Sequence, residues 1–139
     1  MADEFRTTFF FGPEEVPERP GILRCVFNTK KRSWKGGIQV AVELAEAQLE
    51  RLRERGLLGE LLEMLRARVE PETFAEYGQR ARDLFTQQVC RAKLDLAMAK
   101  GLAQENQTIG ADVFQQELDR AVLAGADAVR QAILAELDV

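Results

Sequence analysis

The residues whose types and spacing best suit chemistry lie in one stretch, from Arg24 to Lys35. It holds Arg24, Lys30, Lys31, Arg32 and Lys35, no acid, and the chain's only tryptophan, Trp34. The whole chain has 19 basic and 23 acidic residues, so the remainder carries 14 against 23, a net charge of −9. Positive charge is thus gathered with an indole on an otherwise acidic body. Arginine and tryptophan are among the side chains most enriched at binding hot spots. Such a segment can grip an acidic groove on another protein, or it can bind phosphates by charge and stack its indole on a base. A plainer reading stands beside these: cations at a hairpin tip keep strand edges soluble, and the indole folds back onto the domain.

Catalysis has little to work with. The chain has no histidine, which removes the commonest general base and neutral metal ligand. Cys25 and Cys90 are 65 positions apart; they form no CxxC pair and cannot close a four-ligand zinc site. Both read as buried thiols of a reducing compartment, with a disulfide between them as the alternative. The carboxylates Glu43, Glu46 and Glu50 read as one helix face, as do Glu60 and Glu63, while Glu14, Glu15 and Glu18 fall in a proline-rich loop. Acid–base chemistry needs a carboxylate in a cleft with a raised pKa. These acids read instead as solvated, with Glu46, Glu50 and Arg53 spaced for pairing along a helix. Gly36 and Gly37 match no phosphate-binding loop and read as turn glycines. The sequence therefore implies no cofactor and no metal, and it reads as not an enzyme.

The elements that must position the basic segment lie at the front of the chain. Residues 1–42 hold three of the four prolines, five of the eight phenylalanines and the tryptophan. Phe5 to Phe11 reads as an aromatic strand, and Gly12 to Gly21 as a loop, because proline and glycine interrupt ladders and helices. Ile22 to Asn28 reads as a second strand and Ile38 to Val42 as a third. Between them Asn28 to Gly37 reads as a hairpin with a long basic tip.

The rest follows a helical period. Glu43 to Arg55 reads as a short helix stopped by Gly56, and Leu58, Leu61, Leu62 and Leu65 mark another. Glu70-Pro71-Glu72 restarts a helix, which the pattern carries to about Gln104, a rod of about 50 Å. Its apolar stripe reads Phe74, Tyr77, Ala81, Leu84, Phe85, Ala92, Leu96, Ala99 and Ala103. A turn over Asn106 to Gly110 leads to a last helix over about Ala111 to Leu137. The short turn makes the two long helices antiparallel.

The predicted fold class is α+β: a small N-terminal antiparallel sheet of about three strands, then two short helices and a long antiparallel helical hairpin. One domain spans 1–139, with the β element over 1–42 and the helical part over 43–139. The acidic start lacks the basic and apolar regions of a secretory signal, and no apolar run approaches a membrane span. The expected location is the cytoplasm, with no membrane contact. The Arg-, Leu-, Glu- and Ala-rich composition fits a bacterial or phage chain from GC-rich DNA.

The expected function is a non-enzymatic interaction protein: a small regulator, inhibitor, assembly factor or accessory subunit. Its binding residues are Arg24, Lys30, Lys31, Arg32, Trp34 and Lys35, and its partner is another protein. Nucleic acid or another polyanion is the alternative, and an accessory subunit of an enzyme complex is the third reading. The apolar stripes of the long helices are broad enough that a second copy of the chain, in a homodimer, is one way to cover them.

Overall fold

The structure, a computed structural model, describes residues 5–31, 38–55, 57–104 and 106–139, with the backbone alone at 5–11, 29–31 and 38. In chain order the elements are β1 (Phe5–Glu15), β2 (Ile22–Lys31), β3 (Ile38–Ala45), α1 (Glu46–Glu54), α2 (Leu57–Arg66), α3 (Pro71–Ala99), β4 (Gln107–Ile109), α4 (Gln115–Ala124) and α5 (Ala126–Glu136). The class is α+β. The sheet has four strands in the order β1-β2-β3-β4, one more than the pattern predicts. It is mixed rather than antiparallel throughout, because β4 runs parallel to β3.

β1 does not stop at Phe11. It crosses Gly12-Pro13 and pairs again with β2 at Glu14 and Glu15, through an irregularity in register between Phe11 and Glu14. A bulge lets one strand carry unpaired residues without losing its partner. Glycine makes this one possible. Gly12 has φ +117°, and a Cβ there would stand 2.7 Å from the Arg24 carbonyl oxygen. The Gln87 side chain on α3 donates a hydrogen bond to the Gly12 carbonyl at 2.9 Å and ties the bulge to the helix layer.

β3 also runs past its predicted end. Val40, Val42 and Leu44 are fully buried, so the period of two continues to Ala45 and Glu43 falls in a strand, not on a helix face. α1 begins only at Glu46, whose N–H bonds the Gly21 carbonyl at 2.9 Å.

The long helical hairpin is corrected at both arms. α3 ends at Ala99 because Gly101, at φ +69°, closes it. Leu102 N–H bonds the Ala97 carbonyl and Gly101 N–H bonds the Met98 carbonyl, the paired contacts of a glycine C-terminal cap. The second arm begins at Gln115, after Phe114 in the left-handed conformation, and breaks at Gly125 into α4 and α5. Both short helices pack on α3, which also touches α2, β1 and β3 and so forms the spine of the molecule. Its buried face is Gly78, Ala81, Phe85, Thr86, Val89, Cys90, Lys93, Leu94, Ala97 and Met98. This departs from the predicted stripe over the second half, where Ala99 is exposed and Ala92 and Leu96 are only partly covered. Among the described residues no helix is long and apolar enough to cross a membrane.

Gly12 and Gly21 give a test of the bulge. Both have positive φ, but a Cβ at Gly21 meets nothing within 4 Å. In urea unfolding, Gly12→Ala is expected to cost about 2–3 kcal/mol, from backbone strain plus collision, and Gly21→Ala about 1 kcal/mol. Equal losses would mean the close approach at Gly12 is not what holds the bulge.

Candidate interaction surface

Strand alternation gives the sheet two unlike faces. Cys25, Phe27, Val40, Val42, Leu44 and Ile109 point into the helix-packed core. The intervening residues face away from it. The register aligns them in rows: Glu14 with Arg24 and Glu43, Val26 with Ala41 and Thr108, and Asn28 with Gln39. Gln39 and Thr108 are exposed, and Val26 and Ala41 partly so. Across this face lies a shallow groove of about 190 Å³. Val26 and Ala41 are among its lining, with Arg24 and Glu14 towards one side and Gln39 and residues 106–108 towards the other.

The structure divides the basic segment. Arg24 sits in mid-sheet on β2, at the groove. Lys30 and Lys31 close the same strand, opposite Arg6 and Phe5 in the register. Six positions of strand separate Arg24 from Lys30 by roughly 20 Å, so Arg24 is not part of the hairpin tip. Arg32, Trp34 and Lys35 lie outside the described residues.

Arg24 has no counter-ion among the described residues. Its Nε is buried without a hydrogen-bond partner, an arrangement that costs about 1–3 kcal/mol for a lost donor. Its register neighbour Glu43 is taken. Glu43 is 3% exposed, and its Oε1 accepts a hydrogen bond from Arg19 Nη1 at 2.7 Å. Arg53 also has an unpaired Nε, but its other nitrogens reach Glu50 and Thr86. Among the described residues several other carboxylates form solvated pairs, such as Glu60 with Arg130 and Asp95 with Arg91.

Sequence reasoning missed the polar cluster beneath the sheet. Lys93 is fully buried. Its ammonium donates to the carbonyls of Glu43 at 2.9 Å, Gly110 at 2.6 Å and Ala111 at 3.2 Å. All three protons are used, so the group has none left for a substrate and acts as a pin. It joins α3 to the end of β3 and to the turn after β4. The groove depends on that joint, because β4 supplies its outer wall. The signal in the sequence is a lysine inside an apolar stripe, four residues after Val89 and four before Ala97.

Burial pushes the Lys93 pKa down from 10.5 to about 8, against the opposing influence of Cys90, Asp112 and Glu43. Cys25 and Cys90 are both free and buried. The hydrogen bond that the Cys90 thiol makes to Cys25, then burial, push the Cys90 pKa well up, which disfavours the reactive thiolate.

No protein-family model matches the chain, and no curated protein or solved structure matches it either.

The pin is testable through stability. Lys93→Met leaves three carbonyls, two of them in fully buried contacts, without their donor and is expected to cost about 2–4 kcal/mol at pH 7. The pH dependence has a definite sign. With a folded pKa of about 8 and an ordinary one of 10.5, the unfolded chain binds more protons between those values. Stability therefore rises with pH across that window. Relative to Lys93→Met, wild type should gain on the order of 2 kcal/mol between pH 7 and pH 9.5 in urea unfolding. Parallel pH profiles for the two proteins would show that Lys93 is not desolvated in the native state.

Proposed function

We propose that this chain is a non-enzymatic interaction protein, a small regulator, inhibitor, assembly factor or accessory subunit. It engages another protein through the Trp34 hairpin and the open face of the sheet. One observation carries the reading: the sheet buries one face on the helices and turns the other, with its groove and uncompensated Arg24, away from them. A sheet face that the chain's own helices leave uncovered is a ready surface for a partner. Lys30 and Lys31, at the far end of the strand that carries Arg24, extend the positive charge from the groove towards the hairpin.

Two buried, free thiols suit a reducing compartment and support a cytoplasmic location. The second reading, binding of nucleic acid or another polyanion, is favoured by the five cations and no acid between Arg24 and Lys35.

Two measurements test this. A pull-down from source lysate, with wild type and a charge-reversed Lys30/Lys31/Arg32 variant, identifies the partner. Trp34→Ala should then weaken that partner by more than about 1 kcal/mol with the melting temperature unchanged. A large drop in melting temperature with binding intact would place the indole in the core and remove the hairpin from the interface. Salt separates the two classes of partner: a log–log slope of several units points to phosphates, and a shallow slope to a protein interface.

A further inference from the structure

The groove on the open sheet face carries information about its occupant. Its Arg24 is partly buried, its Nε is shut away from solvent with no acceptor, and no ion pair joins it to Glu14 or Glu43, its neighbours in the register. Glu43 belongs to Arg19. A guanidinium offers donors in a planar fork that matches a carboxylate, and Arg24 stands partly exposed in the groove lining with no carboxylate of the chain on it among the described residues.

The rest of the groove narrows the class. At about 190 Å³ it is smaller than the roughly 300 Å³ at which small-molecule pockets begin, but it is open and runs across strands, as an extended segment would lie. Ala41, the smallest side chain in its row, leaves room over the floor beside Val26. Gln39 and Thr108 are exposed and offer uncharged hydrogen-bonding groups. Charge points the same way. The chain outside Arg24 to Lys35 is net −9, and Glu14 also lines the groove, so the pull on an acidic segment comes from Arg24 and the two lysines further along β2.

Resting on the interaction reading above, we propose that this groove binds an extended acidic segment of a protein partner. An Asp or Glu carboxylate of that segment pairs with the Arg24 guanidinium, and its aliphatic stem lies over Ala41 and Val26.

The test uses fluorescein-labelled octa-L-glutamate as probe, read by anisotropy, with amide shifts of the ¹⁵N-labelled chain to map it. Oligo-dT of eight nucleotides is the competitor class. Saturable octaglutamate binding is expected, with the largest shifts at Val26, Ala41 and Thr108. Arg24→Gln should weaken it at least fivefold, and Arg24→Lys should restore only part of the loss. Ala41→Leu fills the floor without touching Arg24 and should weaken the probe as well, which guards against an Arg24 variant that fails to fold. Shifts confined to positions beyond Asn28, indifferent to both substitutions, would overturn the groove while leaving the hairpin interface standing. Absence of saturable octaglutamate binding would overturn it too, and Trp34→Ala would then judge the broader reading alone. Preferential binding of oligo-dT at the groove would overturn both in favour of nucleic acid.

Discussion

The structure depends on an ammonium group kept away from water. Lys93 gives its three protons to the Glu43, Gly110 and Ala111 carbonyls, and these acceptors come from separate places: the end of β3 and the turn after β4. Burying a charge is costly even when it is hydrogen-bonded; the backbone supplies three acceptors, and the remaining cost shows in a pKa lowered to about 8. Because the acceptors are main-chain atoms, the contact fixes the path of the chain and not merely a side chain. Residues 107–109 make a strand too short to stand on local propensity. It forms parallel to β3 because the segment that follows is anchored to α3, and because Asn106 N–H bonds the Gln39 carbonyl at 2.8 Å just before it.

That joint links the core to the open surface. α3 packs beneath the sheet, holds the Gly12 bulge through Gln87 and holds the β3–β4 junction through Lys93. The edge strand β1 and the far strand β4 are thus both referenced to one helix. The groove runs between them, so its width is set by the same spine.

Some of this was legible in the residues. The alternation at Ile38, Val40 and Val42 identified a strand, and Pro71 marked a helix start, because each is a local rule. Other features were not legible. Leu44 fits the period of a strand and equally that of the helix that follows, and only its partner Leu23 in the register decides. Gly101 can be a weak spot within a helix or its terminator, depending on where the next residues can bond. Lys93 lay in plain view, yet a charged residue in an apolar stripe is intelligible only once its acceptors, 50 and 18 residues away, are known. Proximity in the sequence groups Arg24 with the hairpin cations. The extended strand separates it from them, because residues close in number are far apart when each adds more than 3 Å.

Glu43 pairs with Arg19 and not with Arg24, its own neighbour in the register. Arg19 and Arg24 both lie near Glu43, and a single carboxylate oxygen contact at 2.7 Å goes to Arg19. Arg19 sits in a turn whose own hydrogen bonds, from Arg19 N–H to the Val16 carbonyl and from Ile22 N–H to the Arg19 carbonyl, fix its main chain. Val16 is buried and anchors that turn. The Arg19 guanidinium reaches Glu43 from that fixed turn. Once Glu43 is taken, the other acid in the Arg24 row is Glu14, which is exposed and gains little from pairing in water. A local frustration of this kind lowers stability slightly, and sequences that keep one usually keep it where a partner relieves it. The turn thus brings Arg19 to Glu43, while Arg24 stands in the groove lining without a chain carboxylate among the described residues.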